Sequence, residues 1–284
     1  MGDNDCNPAA MKEIIFPIRQ DGLKARAYAG TTYLVSAATI GGMPYASTGD
    51  PWKCMFAREN LIEKFFPNKN DIPKATVDDV LKNPSKEQVI AKDSEKGIST
   101  ADVIAKAKDD RALLYMGVGG CEEGKVRTIN PGEAITGPLN GASFVKWSNL
   151  HADGSTQHDQ NYSDTDFPVF RLAEIYLTRA EAKYRLGQDG LDDILKVQDR
   201  AHRASKATSV NEQTLIDEWC REFFMEGRRR SDLVRFGLYT GSKYLWSFKG
   251  GAEKGAGVPS YYNIYPIPDN EIKNNPNMTQ NPKY

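Results

Sequence analysis

Cysteine, histidine and long apolar runs are all scarce in this chain of 284 residues. Its four cysteines and three histidines are scattered along the sequence, and no cysteine pair has the C-x-x-C spacing of a zinc or redox motif. No stretch reaches the roughly 18–20 apolar residues that a membrane-spanning helix needs. These scarcities exclude a disulfide scaffold and a cysteine-based metal framework, and nothing indicates a Ser-His-Asp triad.

Excess charge of either sign is also missing. Lysine plus arginine number 37 against 38 acidic residues, which gives a net charge of −1. A near-neutral chain has no broad basic face, so the composition argues against sequence-independent binding to nucleic acid. With 39% hydrophobic residues, the chain has enough apolar material for a folded, rather polar domain or two.

Aromatic residues are abundant, and many lie in glycine- and proline-rich stretches rather than in periodic runs. Exposed Tyr and Trp rings pair with the apolar C–H faces of sugars, while amide, carboxylate and guanidinium groups bind sugar hydroxyls. One such stretch spans residues 28–52, and another spans residues 244–263. The candidate glycan-binding residues are Trp52, Tyr28, Tyr33, Tyr45 and Asp50.

Short strands and loops are predicted for the first part of the chain. The apolar residues 13–18 indicate a strand, the run from Tyr28 to Val35 a second one, and the spacing of Leu61, Ile62, Phe65 and Phe66 a helix over 57–66. Further strands are predicted at 113–118 and 143–147, and a polar loop at 149–166.

The pattern becomes helical after Pro168. A helix is predicted from there to Gly187, followed by a second at 191–205, which would form an antiparallel, tetratricopeptide-like pair. Further helices are predicted at 214–226 and just before Gly237, and the tail 238–284 is predicted to be mostly loop. The fold class is therefore α+β, mostly α-helical with irregular loops and short strands. Its parts are a loop-and-strand region (10–150), a helical core (167–237) and the tail.

Three segments resemble signatures of one protein family, in the family's order. They are residues 167–182 (FPVFRLAEIYLTRAEA), 221–237 (REFFMEGRRRSDLVRFG) and 265–282 (YPIPDNEIKNNPNMTQNP). By these motifs the chain is identified as a member of the SusD/RagB family. The resemblance implies an outer-membrane, surface-exposed lipoprotein. Such a protein holds glycans for a SusC-like TonB-dependent transporter without being an enzyme.

The resemblance covers the second half of such proteins. Family members usually have an N-terminal half with a signal peptide, a lipidated cysteine and several tetratricopeptide-like helices. We therefore expect this chain to correspond to the C-terminal half. Starch-binding members form an aromatic arc partly from the region that residues 20–60 would occupy, which favours Trp52 with Tyr28 or Tyr33 and an α-glucan ligand.

Other interpretations of these residues stay open at this point. Trp52 could instead cap the following helix, one of the two tyrosines could be a core residue, and Trp246 with Phe248 could pack on a half-buried strand. The run Arg228–Arg230 could pair with Glu222, Glu226 and Asp232. No cofactor is expected, apart from a possible structural calcium. Its candidate ligands are Asp153, Asp159, Asp164 and Asp166.

Two alternative functions compete with glycan capture. A glycoside hydrolase also contacts sugars through aromatic side chains, but it needs two carboxylates about 5–10 Å apart across the scissile bond. The sequence shows no recognisable pair, and Asp50 beside Trp52 is the one acid to test. The second alternative is a helical scaffold that binds other proteins, although one helical pair offers little concave surface.

Overall fold

The computed structural model describes residues 7–39, 49, 51–52, 54–73, 99–115 and 142–284. Two predicted site residues, Tyr45 and Asp50, lie outside these ranges. The chain divides into two compact units, Met1–Met225 and Glu226–Tyr284. The three-part division expected from the sequence stays a prediction.

Helices make up most of the regular structure, which confirms the mostly α-helical class. The helix Leu172–Arg185 packs against both Leu191–Arg200 and Glu212–Phe223. No helix in the described ranges is long and apolar enough to cross a membrane. The helices of the first unit are α1 (Pro8–Glu13), α2 (Thr31–Ala38), α3 (Glu59–Ile62), α4 (Thr100–Ala107), α5 (Leu172–Arg185), α6 (Leu191–Arg200) and α7 (Glu212–Phe223).

Two small antiparallel sheets accompany these helices. Strand β1 (Ile14–Ile18) pairs with β5 (Phe167–Arg171). The central β4 (Ala142–Phe144) pairs with β2 (Phe56–Ala57) on one side and β3 (Leu114–Tyr115) on the other. The strands predicted near 13–18, 113–118 and 143–147 are thus confirmed within the described residues. Strand β4 ends before the predicted residue 147, and residues 116–118 lie outside the described ranges.

The strand predicted from Tyr28 to Val35 is wrong, because helix α2 occupies most of it. Gly30 adopts a left-handed backbone with φ of 66°, and its carbonyl accepts the first helical bond from Leu34 N. The β-branched residues of the segment favoured a strand. The helix nevertheless buries Thr31, Thr32 and Val35, a spacing that fits one helical face.

The helix predicted to begin after Pro168 begins later, at Leu172. Residues Phe167–Arg171 form strand β5, with Ile14 opposite Arg171 and Ile18 opposite Phe167. The partner strand is distant in sequence, so local patterning could not reveal it. Downstream helices are present but shorter than predicted, with α6 ending at Arg200 and α7 at Phe223.

The antiparallel helical pair is confirmed as α5 and α6, and Gly190 sets how closely they approach. A Cβ atom at position 190 would lie 2.6 Å from the Ala180 carbonyl oxygen of α5. Such a contact is too short for any side chain, so the turn between the helices needs glycine at this point.

The hydrophobic core of the first unit gathers side chains from helices and strands. Phe65, Phe224 and Phe144 pack together, with ring centroids 5.9 and 5.8 Å apart. Trp219 and Trp147 are buried, at 1% and 3% exposure, so both are core residues.

A buried network of charged residues lies beside α7. Arg111 Nη1 donates to Glu218 Oε1 at 2.6 Å and to Glu222 Oε2 at 3.0 Å. Arg171 Nη1 also donates to Glu222, at 2.6 Å. The expected pairing of Glu222 with Arg228–Arg230 is therefore wrong, since its partners are Arg111, Arg171 and Arg200.

This network makes stability sensitive to acid. Burial opposes ionisation of Glu218, but Arg111 and Arg221 outweigh it and lower its pKa from 4.5 to about 2. The pKa of Glu222 is lowered as well, by Arg171 and Arg111 against its burial. Because both folded pKa values lie below the unfolded value, their contribution is present above about pH 4.5 and is lost as pH falls towards 2.

We expect the free energy of unfolding to fall by up to about 1.4 kcal/mol per pH unit for each of the two carboxylates in that window. Urea titrations at pH 7, 5, 4 and 3 measure the effect. A Glu218→Gln variant with the same pH profile as the wild type would contradict the assignment.

The second unit has little regular structure beyond short helices. Helix α8 (Arg229–Arg235) starts it, and α9 (Asp269–Asn274) lies in the tail. The remaining tail is irregular, as predicted, with short 3₁₀ turns at Lys249–Gly251 and Ser260–Asn263.

Candidate functional site

Three of the predicted site residues lie together in one aromatic cluster. The Trp52 ring lies 6.5 Å from that of Tyr28 and 5.9 Å from that of Tyr33, measured between centroids. A fourth ring, Tyr162, lies 4.8 Å from Tyr28. We call Tyr28, Tyr33, Trp52 and Tyr162 the aromatic platform.

The platform rings are accessible. Tyr28 is 61% exposed and Tyr33 is 42% exposed, while Trp52 and Tyr162 are half-buried. Neither tyrosine is therefore a core residue, and the alternative that one of them fills the interior is wrong. Large exposed apolar rings in a group are uncommon on a protein that has no ligand for them.

Main-chain hydrogen bonds hold Trp52 in place against α2. Trp52 N donates to the Ser36 carbonyl at 2.9 Å, and Cys54 N and Met55 N both donate to the Ala37 carbonyl. Tyr33 lies one helical turn before Ser36 on α2, so its ring meets Trp52. These bonds tie Trp52 to the end of α2 rather than to the start of α3, which contradicts the capping interpretation.

A long-range hydrogen bond brings Tyr162 to the same place. Ser163 N donates to Thr32 Oγ1 at 2.9 Å, so the loop is attached beside Tyr33. The side chain of Asn149 supports the loop from within, because its amide donates to the Asp159 carbonyl and its oxygen accepts from Asp164 N. The platform is thus held by two sets of hydrogen bonds to α2, one from the segment at Trp52 and one from the loop that carries Tyr162.

Polar groups line the platform beside the rings. The Arg26 guanidinium lies 4.6 Å from the centre of the Tyr162 ring and 3.9 Å from Asp159. A side-chain hydrogen bond to Tyr162 raises the pKa of the Tyr28 hydroxyl. Gln160 and Asn161 are exposed next to Tyr162. Rings with guanidinium, amide and hydroxyl groups around them match the two kinds of surface that a sugar presents.

Sequence reasoning missed Tyr162 and Arg26. Tyr162 is the single Phe, Tyr or Trp residue of the polar loop 149–166, which is the one signal that could have singled it out. Arg26 lies two residues before Tyr28, just outside the selected stretch 28–52.

The four aspartates considered for calcium take separate partners. Asp153 Oδ1 accepts from Ser155, and Asp159 Oδ1 accepts from Asn161 N and Tyr162 N. Asp166 Oδ1 accepts from Gln20 N at 2.8 Å. Each of these carboxylates thus stabilises the local backbone or an adjacent turn.

Asp164 differs from the other three. It is 3% exposed, and its Oδ2 lies 2.7 Å from His151 Nε2 and 3.2 Å from His158 Nδ1. Among the described residues, these three side chains are the one group of such ligands close enough to hold a metal ion.

Two buried side-chain oxygens, one on Asp164 and one on the segment around Gly22 that packs against it, have no hydrogen-bond partner within the described ranges. They are Asp164 Oδ1 and Gln20 Oε1. A Cβ atom at Gly22 would lie 2.2 Å from Asp164 Oδ1, so this oxygen faces the turn that carries Gln20. Unpartnered buried carboxylate and amide oxygens suit a hard cation.

The second predicted aromatic stretch forms no strand in the described structure. Trp246 is half-buried and packs on Tyr239 at 5.8 Å, with Lys249 Nζ 4.6 Å from its ring centre. Phe248 adopts a left-handed backbone, which no strand allows. The strand predicted for Trp246 and Phe248 is therefore wrong, although Trp246 does pack inside its unit.

Comparison with known proteins agrees with the motifs and the fold. The SusD family profile matches residues 12–284. The chain belongs to the SusD family. The starch-binding protein SusD of Bacteroides thetaiotaomicron is 53% identical over 289 aligned positions, which cover 100% of this chain and 51% of that protein.

Solved structures share the SusD-family fold. Surface glycan-binding protein A of B. thetaiotaomicron matches with a TM-score of 0.56 at 18% identity, over 99% of this chain and 55% of that one. A SusD superfamily protein of Bacteroides fragilis matches with a TM-score of 0.52 at 17% identity, over 96% and 51%. The chain spans about half the length of the SusD-family relatives that it matches.

Proposed function

We propose that this SusD-family chain binds oligosaccharides or polysaccharides on the aromatic platform, with starch-type α-glucan as the preferred class. The observation that carries the proposal is the grouping of Trp52, Tyr28 and Tyr33 with Tyr162. Two of these rings are exposed and two half-buried, beside Arg26 and the exposed amides of Gln160 and Asn161. The name of the relative with 53% identity, a starch-binding protein, supports the choice of ligand. Tyr45 and Asp50 stay proposed contacts of the same stretch.

A structural relative supports the wider class of ligand. Surface glycan-binding protein A of B. thetaiotaomicron has been solved in complex with laminarihexaose; it matches with a TM-score of 0.54 at 18% identity, over 95% of this chain and 52% of that one. Glycan capture is thus compatible with this fold, and the side chains of the platform would select the glycan.

The mechanism we propose is capture without bond cleavage. Each sugar ring that stacks on an aromatic face contributes about 0.5–1.5 kcal/mol beyond the burial of its area. One such site binds weakly, so firm attachment to a polymer would come from many ligand repeats and many protein copies. The protein would then be no enzyme, would act at the outer-membrane surface and would pass its ligand to a SusC-like transporter.

Affinity electrophoresis tests the ligand and the absence of catalysis together. The chain would be run through native gels containing starch, pullulan, dextran, xylan or levan, with a reducing-sugar assay on the same polymers. We expect retardation by starch and pullulan and no release of reducing ends. Sugar release that follows the protein through purification would favour a glycoside hydrolase instead, and a folded chain retarded by none of the polymers would contradict glycan binding.

We also propose a structural calcium ion beside the platform, held through Asp164 Oδ1 and Gln20 Oε1. Calcium is bound by carboxylate and carbonyl-type oxygens, and both atoms are buried without a hydrogen-bond partner in the described structure. The two histidines contact the other Asp164 oxygen, Oδ2. The ion would fix the loop that carries Tyr162.

Thermal melting tests this ion. At calcium concentrations about 100-fold above its dissociation constant, the folded state would gain about 2.7 kcal/mol, a shift of about 5–10 °C relative to EDTA. Asp164→Asn should remove the calcium response, whereas Asp153→Asn, in the same loop, should keep it. A melting temperature that rises with zinc but not with calcium would instead assign the metal to His151, His158 and Asp164.

A further inference from the structure

A second group of exposed tyrosines lies in the unit Glu226–Tyr284. The rings of Tyr261 and Tyr262 stack with centroids 4.5 Å apart, and the ring of Tyr284 stands edge-on to both at 5.2 and 6.3 Å. Tyr262 and Tyr284 are 41% and 40% exposed. Together with Tyr265 we call these residues the C-terminal tyrosine cluster.

Tyr265 presents the most open ring of this cluster. It is 67% exposed, although the Arg230 guanidinium lies only 3.7 Å from its centroid. Arg230 is itself fixed, because Nη2 donates to the Tyr262 carbonyl at 2.7 Å and the guanidinium also packs over Tyr239. One face of the Tyr265 ring is thus backed by a held cation, and the other face is free for a ligand.

The backbone around the cluster is braced by side chains near the C-terminus. The Tyr284 hydroxyl donates to the Ile264 carbonyl at 2.8 Å, and Asn281 Nδ2 donates to the Tyr265 carbonyl at 2.7 Å. Gln280 forms a two-way bond with the Ile267 amide and carbonyl, each at 2.9 Å. A ring held in this way loses little conformational freedom when a ligand stacks on it.

Neutral polar groups accompany the rings. Asn263 Oδ1 is buried and has no hydrogen-bond partner within the part of the chain that the structure describes. The single charged side chain named in these contacts is Arg230, which is occupied behind Tyr265. Tyrosine ring faces with hydroxyl and amide groups beside them fit a hydroxyl-rich ligand such as a sugar better than a purely apolar surface.

We propose that the C-terminal tyrosine cluster is a second glycan-binding surface, which stacks a sugar ring on the free face of Tyr265. It would take the same class of polysaccharide as the aromatic platform, and so it rests on the proposed function. A long polymer offers many repeats, so a further surface that binds it adds to its retention through multivalency. Short oligosaccharides gain nothing from this effect.

The test compares four forms of the chain: wild type, Tyr265→Ala, Tyr265→Phe and Leu245→Ala. Leu245 is an exposed apolar residue of the same unit that the cluster contacts do not include, so it controls for loss of apolar surface. Affinity electrophoresis would use the polymer that retards the wild type most, and titration calorimetry would use maltotriose. Circular dichroism melts would establish that each variant folds.

We expect Tyr265→Ala to lower the affinity for the polymer about 3–10-fold, because it removes one stacking contact and the multivalent binding that this contact supports. Its maltotriose affinity at the aromatic platform should not change. Tyr265→Phe keeps the ring and should bind the polymer like the wild type, as should Leu245→Ala.

Three results would overturn the inference, and they differ in what else they remove. A folded Tyr265→Ala variant with wild-type affinity for the polymer would remove the second surface and leave the proposed function intact. A wild-type chain that no polymer in the panel retards would remove both proposals. A Tyr265→Phe variant as weak as Tyr265→Ala would also contradict stacking, because the ring face is unchanged.

Discussion

Replacing Trp52 by alanine is expected to reduce the affinity of the aromatic platform for glycan at least about 30-fold. The reason is the loss of a central aromatic contact, which contributes about 2–4 kcal/mol. Trp52 is the ring that contacts both Tyr28 and Tyr33. Its removal therefore deletes a stacking face and leaves the two tyrosine rings without their common neighbour. Titration calorimetry with maltoheptaose measures the loss, and retardation in starch gels reports it for the polymer.

Tyr184→Ala is the matched control. Tyr184 is 37% exposed on α5 and is not among the platform contacts, so its removal should leave maltoheptaose affinity within twofold of the wild type. Trp52→Phe should fall between the two, since a smaller ring still offers a face. If Trp52→Ala binds maltoheptaose as tightly as the wild type, the platform is not the binding site.

Replacing Glu222 by glutamine is expected to cost about 3–5 kcal/mol of folding free energy, the typical cost of breaking a buried ion pair from one side. Glu222 is 3% exposed and receives hydrogen bonds from Arg111, Arg171 and Arg200. The neutral side chain would leave these arginines close together without the charge that offsets their repulsion. Urea unfolding followed by circular dichroism measures the change.

Asp199→Asn provides the comparison for this variant. Asp199 pairs with Lys206, but both side chains are about half exposed, and exposed pairs contribute about 0–1 kcal/mol. A Glu222→Gln chain that unfolds at the same urea concentration as Asp199→Asn would show that the network contributes no more than a surface pair.

The candidate site was only partly predictable from the sequence. Trp52, Tyr28 and Tyr33 could be selected because aromatic residues among glycine, proline and polar residues indicate exposed rings. Tyr162 could not, because its place depends on the bond between Thr32 and Ser163, which are 131 residues apart in the chain. Contacts of this kind leave no local pattern.

The fold, too, contains elements that the local sequence predicts and elements that depend on residues far away in the chain. The α5–α6 pair follows from local periodicity and from the glycine between the helices, and it was predicted correctly. Strand β5 depends on pairing with β1 from the other end of the first unit, and local patterning assigned its residues to a helix. Helix α2 shows that the strand preference of Thr31, Thr32 and Val35 is weaker than the burial of one helical face.

The way Trp52 is attached to α2 has a consequence for how such proteins diversify. The hydrogen bonds that Trp52, Cys54 and Met55 donate to Ser36 and Ala37 join backbone atoms only. They therefore do not depend on which side chain stands at position 52. If the platform binds glycan as proposed, a mutation there would exchange one ring of the binding surface and keep these backbone bonds. Ligand preference would then change by single substitutions without loss of the fold.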